Sequence, residues 1–143
     1  MTKIESIFTQ NAPEPLGHYS HAVRADGLIH VSGQLPIKAG DQNIASSLPF
    51  EEQAHLVLRN LLSILDAAGA GSRDVVKVTA YIVGVGQWGI FNAAFAEAFG
   101  DVRPARSVVP VPELHHGFLI ELDAVALDPH APSGSKEKPE RTE

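Results

Sequence analysis

The 143-residue chain contains no cysteine. That excludes disulfide staples, a thiol nucleophile and a thiolate metal site. It also has no apolar run long enough to cross a bilayer. Its first residues, Met1-Thr2-Lys3-Ile4-Glu5-Ser6, lack the apolar centre of a signal peptide. A cytoplasmic protein with no membrane partner is the expectation. Dense basic runs are missing too: 11 Lys and Arg stand against 17 Asp and Glu, for a net charge of −6. Nucleic acid is therefore not expected as a partner. No phosphate-cradling loop is present, because Gly84-Val85-Gly86 lacks the continuation of a dinucleotide fingerprint. Ser32 and Ser107 sit in no recognisable nucleophile motif. The seven histidines include the neighbours His18 and His21 and the adjacent pair His115-His116. Neither pair has the helical spacing of a zinc motif, so no metal is expected.

What the chain does contain suits one domain. Residues 1–127 carry the apolar pattern. From Asp128 to Glu143 there is almost nothing to bury, which predicts a disordered C-terminal tail over 128–143. Two helices stand out. The first follows Ser46-Ser47-Leu48-Pro49, which offers cap candidates and an early proline, with Glu51 and Glu52 at the positive end of the dipole. Phe50, Ala54, Val57, Leu61, Leu65 and Ala68 recur at helical spacing, and Gly69 supplies the stop. The second helix spans about 87–99, with Trp88, Phe91, Phe95, Ala98 and Phe99 as its stripe and Gly100 as its end. Both stripes read as core packing.

Strand patterns surround these helices. Residues 20–25 and 28–34 flank Asp26-Gly27, a two-residue hairpin signal. Further strands are expected over 75–83, 105–111 and 118–127. The order ββαβαββ predicts an α+β two-layer sandwich, with two helices covering one face of a mixed sheet. In the last strand Phe118, Ile120, Leu122, Ala124 and Ala126 share one side, and Leu119, Glu121, Asp123, Val125 and Leu127 the other. The second side is half apolar and half acidic. Such a face predicts cover by another subunit.

Arg106 lies in the strand-like run Arg103-Pro104-Ala105-Arg106-Ser107-Val108-Val109. A guanidinium there cannot shed its charge, so it needs an anion. One reading is a salt bridge to Glu121 or Asp123. The other is an open fork that holds a substrate carboxylate through two parallel hydrogen bonds, each contributing about 1.5–3 kcal/mol. Glu121 sits mid-strand, where partial burial would raise its pKa and suit it to proton exchange. It could equally pair with a cation for structural reasons, and Asp123 is its rival for either role.

These residues resemble a known family. Gly17-His18-Tyr19-Ser20, Val31-Ser32-Gly33-Gln34-Leu35-Pro36, Gln53 with Asn60-Leu61, and Ala67-Ala68-Gly69 are similar to the first half of the RidA/YjgF proteins. Asp74-Val75-Val76-Lys77-Val78-Thr79, Tyr81, Asn92 with Phe95 and Phe99, Pro104-Ala105-Arg106-Ser107, Leu114 and Ile120-Glu121-Leu122-Asp123-Ala124-Val125-Ala126 resemble the second half. The resemblance implies a chorismate-mutase-like fold and a homotrimer whose sheets form a central barrel with clefts between subunits. It implies a cofactor-independent hydrolysis of enamine and imine acids such as 2-aminoacrylate to 2-keto acids and ammonia. Arg106 would grip the substrate carboxylate and Glu121 would position water. Tyr19, Ser32, Gly33, Asn92 and Val108 would line the cleft. The chain departs from the family at three places: His18 replaces a frequent proline, His21 a frequent glutamine, and Val108 a frequent cysteine. These changes leave room for a larger or more acidic substrate, such as an aminomuconate-type product of a dedicated pathway. The His115-His116-Gly117 loop is placed near the cleft rim. A metabolite-binding or chaperone-like module, and a single-stranded ribonuclease, are the readings from other classes.

Overall fold

The Asp26-Gly27 pair turns the chain as its composition predicts. Both residues adopt left-handed backbone angles, φ 53° and 78°, the geometry of a tight hairpin turn. They join strand β2 (Ala22–Ala25) to β3 (Leu28–Gln34) in the computed structural model, which describes residues 3–41 and 46–132. A short strand, β1 (Glu5–Ile7), pairs with β2 on its outer side. Helix α1 (Phe50–Ala67) leads into β4 (Val75–Ile82), helix α2 (Trp88–Phe99) into β5 (Ala105–Pro110), and β6 (Ile120–Leu127) closes the fold.

The six strands form one mixed sheet in the order β1-β2-β3-β6-β4-β5. Only β4 and β5 run parallel, because the α2 crossover returns the chain in the same direction. Strand β6 inserts between β3 and β4, antiparallel to both. The two helices pack on one face, so the α+β sandwich of the sequence reading holds.

Burial follows the periodicities. Ala54, Val57, Leu61, Ile64 and Leu65 of α1 are fully buried against Ile29, Val78, Ala80, Ile82, Ile120, Leu122 and Ala126 of the sheet. In α2 the stripe holds for Phe91, Phe95 and Phe99; the Phe95 and Phe99 rings stack, and Phe91 meets Phe95 at a tilt. Trp88 departs from it. At 46 % exposure it stands outside the core, at the first residue of α2.

The serine cap expected for α1 does not form: Pro49 is the capping residue and no side chain caps it. Buried Gln53 takes over the tethering. Its amide nitrogen donates to Leu48 O at 2.8 Å, and its oxygen accepts from Leu119 N at 2.9 Å. At the other end Gly69, at φ 81°, turns the chain so that Ala70 N–H reaches Leu65 O. Beyond β6, Asp128 is held: its carboxylate meets Arg24 at 2.9 Å and its N–H donates to Gly27 O. Residues 133–143 of the expected tail lie outside the described residues. No helix among the described residues is long and apolar enough to cross a membrane.

Candidate active site

Glu121 begins the open face of β6. Its cross-strand neighbour on β4 is Tyr81, and its other neighbour is a bulge in β3. Between Val31 and Gln34 of β3 there are three steps, against two between Ala124 and Leu122 of β6. The extra residue falls at Ser32-Gly33 and re-aims the strand. Gly33 leaves the carboxyl its place: a Cβ on it would collide with Oε1 of Glu121 and push that group aside. Ser32 is committed to the bulge, its hydroxyl donating to Ser20 O at 2.7 Å.

Tyr19, Ser32, Gly33, His115, His116 and Glu121 line one cleft of about 410 Å³. The histidine loop reaches it because His116 takes a left-handed backbone (φ 59°, ψ 17°) ahead of Gly117 at φ 72°. Burial pushes the Glu121 carboxyl above the ordinary range, and Asp123 adds to this while His115 opposes it. A carboxyl so placed exchanges protons closer to neutrality than a solvated one. Asp123 is engaged differently. Tyr81 Oη donates to it at 3.3 Å, so it is no rival for the cleft. Burial raises its pKa, and Tyr81 opposes the rise.

Arg106 occupies another part of the chain. The register pairs Arg106 with Val78 and Val109 with Tyr81, so Arg106 and Val108 lie on the helix side of edge strand β5. Its Nη1 donates to Asn92 Oδ1 at 3.0 Å. The guanidinium carbon lies 4.8, 5.3 and 5.7 Å from the ring centres of Phe95, Phe91 and Trp88, within cation–π range. Burial lowers its pKa, but an arginine stays charged. Among the described residues no carboxylate pairs with it. The alternative of a salt bridge to Glu121 or Asp123 fails because β4 separates β5 from β6. Arg106 and Asn92 face a second cleft of about 520 Å³. Val108 packs against the core and lines neither cleft.

The predicted residues thus fall into two groups. Arg106 and Asn92 form one; Glu121, Gly33, Ser32 and Tyr19 form the other. Two strand steps and three residues separate the centres, roughly 10 Å across and roughly 10 Å along the sheet, and they lie on opposite faces.

His21 does not enlarge the cleft. It is buried, its Nε2 lies 2.7 Å from Pro13 O, and its Nδ1 accepts from Thr9 N–H at 3.2 Å. These partners assign the neutral Nε2–H tautomer and make it a tether for the N-terminal segment. His18 is exposed and lines neither cleft. Trp88 beside Arg106 escaped the sequence reading, since helical spacing had assigned it to the core. Among the described residues, no three His, Asp or Glu side chains converge as a metal site.

Comparison with known proteins places the whole fold in one group. Residues 9–128 match the family model for Endoribonuclease L-PSP. A RutC family protein of Pyrococcus horikoshii is 40% identical over 122 residues, covering 85% of this chain and 96% of the relative. The structure of YyfA, a Rid family protein from Yersinia pestis, superposes with a TM-score of 0.83 at 33% identity over 87% of this chain and 99% of its own. TdcF of E. coli, solved with bound serine, gives a TM-score of 0.79 at 29% identity, covering 86% and 98%.

Proposed function

The chain belongs to the Rid/YjgF family, the one whose model is headed Endoribonuclease L-PSP, and from that premise we propose that it is a hydrolytic deaminase of enamine and imine acids. The observation that carries the proposal is the pair of complementary half-sites. One presents a guanidinium with no carboxylate partner, and the other presents a carboxyl held above its ordinary pKa. In a homotrimer the uncovered face of β4, β5 and β6 meets the next copy, and each cleft joins Arg106 of one copy to Glu121 of its neighbour.

The chemistry follows from those two groups. Arg106 takes the substrate carboxylate on the edge that Asn92 leaves open. Its aromatic collar keeps the guanidinium in place. The enamine tautomerises to the imine, whose carbon is electrophilic. Glu121 accepts a proton from water as the oxygen adds to that carbon. The C=N bond becomes a C–N single bond, and Glu121 returns the proton to nitrogen. Collapse of the carbinolamine breaks the C–N bond and releases ammonia and a 2-keto acid. Imine and water are consumed one to one. The serine carried by TdcF is consistent with a pocket scaled to small amino acids.

Coupling the purified protein to an enzyme that generates 2-aminoacrylate tests the reading. Keto-acid release should exceed the buffer rate, and Arg106→Ala should return it to that rate. Arg106-dependent ligand binding without turnover would favour a metabolite-binding module instead.

A further inference from the structure

Arg106 is not alone on its cleft. Arg103, three residues earlier, lines the same hollow of about 520 Å³, beside Asn92 and the C-terminal end of α2. Residues three apart on a regular strand point to opposite faces. Arg103 precedes the start of β5 at Ala105, with Pro104 between, so that alternation does not bind it and both arginines reach one hollow. Among the described residues, the exposed Arg103 makes no hydrogen bond or ion pair. No acidic residue lines the hollow. In a protein of net charge −6, two guanidinium groups on an acid-free wall concentrate positive potential at one spot.

One carboxylate does not need both. Arg106 has Nη1 committed to Asn92 and a face covered by Phe95, so a single carboxylate fills its remaining edge. Three residues span at most about 11 Å, and both arginines line the same hollow. The second cation therefore stands where an acid group a few bonds further along the substrate would lie. We infer that Arg103 is a specificity-determining residue that selects imines carrying a second carboxylate, those of dicarboxylic amino acids, over monocarboxylic ones; this rests on the deaminase reading. The second carboxylate is a spectator. The C=N bond is hydrolysed as before, giving a 2-keto diacid and ammonia.

A charge-assisted hydrogen bond corresponds to a factor of about 10 to 150 in binding. Exposure of Arg103 places its contribution below that range, at about fivefold. The test uses the full chain and imines formed in situ by amino-acid oxidases from aspartate and glutamate, against those from alanine and 2-aminobutyrate. Unhydrolysed imine is trapped as the semicarbazone. The diacid imines should show kcat/KM about fivefold above the monoacid imines, and Arg103→Met should erase that ratio while Arg103→Lys retains part of it. A ratio near one in the parent protein, or one that Arg103→Met leaves intact, overturns the inference.

If no imine is hydrolysed, the deaminase reading fails and the binding preference is decided separately. Trp88 is the chain's only tryptophan and lies 5.7 Å from Arg106, so its fluorescence reports on this hollow. Titration with 2-oxoglutarate should show a Kd about fivefold below that for 2-oxobutyrate, with the difference lost in Arg103→Met. Equal constants for the two acids would refute the role of Arg103 independently of turnover.

Discussion

Replacing Gly33 with alanine adds a single methyl group, and the structure specifies where it goes. The backbone of Gly33 is not in the left-handed region, so alanine meets no φ penalty; the conflict is the contact with Oε1 of Glu121. The carboxyl must move or the bulge must open. The struck atom is the far end of a flexible side chain, so the cost falls at or below the low end of overpacking, about 1 kcal/mol, which for a chain of this size lowers Tm by roughly 2–4 °C. Activity should suffer more. A catalytic group misplaced by about 1 Å loses on the order of 100-fold in rate, so kcat of Gly33→Ala should fall about 100-fold while the fold survives. The assay pairs thermal melts with keto-acid release across the cycle of Gly33→Ala, Glu121→Ala and the double variant. Glu121→Ala removes the atoms that the methyl strikes, so the double variant should regain most of the lost Tm but none of the activity. Additive melting changes, or near-parental kcat in Gly33→Ala, would refute the close approach of Gly33 and Glu121 as the feature that aims the carboxyl.

Three further outcomes follow. Arg106→Lys should lower kcat/KM at least about tenfold, since an ammonium loses the fork that binds Asn92 and a carboxylate together, and steady-state kinetics read this directly. Burial raises the pKa of Glu121 and Asp123, so each favours the folded state most when protonated at low pH, and that contribution is lost as pH rises through the folded value; Glu121→Gln should therefore raise Tm at pH 7 more than at pH 4. His21→Ala orphans Thr9 N–H and Pro13 O, costing about 1–3 kcal/mol in denaturant melts, while the parent's substrate ranking persists because the ring lines neither half-site.

The readable parts of this fold were those that local spacing decides. Alternation in β6 assigned Ile120, Leu122, Ala124 and Ala126 to the core, and helical spacing assigned Ala54, Val57, Leu61 and Leu65. Each pattern is a property of a few consecutive residues. Strand β1 escaped because it has three residues and buries only Ile7, too little for a period to show. Trp88 obeys the helical period and is still 46 % exposed, because cover for a helix's first turn is a tertiary property that local spacing does not carry. The partner of Arg106 depended on strand order, a long-range property. Glu121 and Asp123 looked adjacent in the chain's plan until β6 inserted on the far side of β4. The two histidines of the first loop separated for a similar reason. Only Thr9 and Pro13, 12 and 8 residues before His21, reveal it as a tether.

Strand order also explains why the site is divided. Beside Arg106 in one chain, Glu121 would form the internal ion pair that closes the fork and drives the carboxyl pKa down. Keeping β4 between them leaves the guanidinium without a carboxylate and the carboxyl raised; in the proposed trimer, assembly of copies would bring them to one substrate. This arrangement makes a prediction that no intrachain site can satisfy. Arg106→Met and Glu121→Gln should each be inactive alone. Unfolded together in equal amounts and refolded, they assemble at random, and a cleft works when its arginine comes from one variant and its glutamate from the other. In a closed ring of equivalent interfaces that occurs in about a quarter of the clefts, so the mixture should regain about a quarter of the parental kcat with an unaltered KM. A mixture as inactive as its components, despite mixed trimers in native mass spectra, would place both groups of a working site in the same chain and undo the divided cleft.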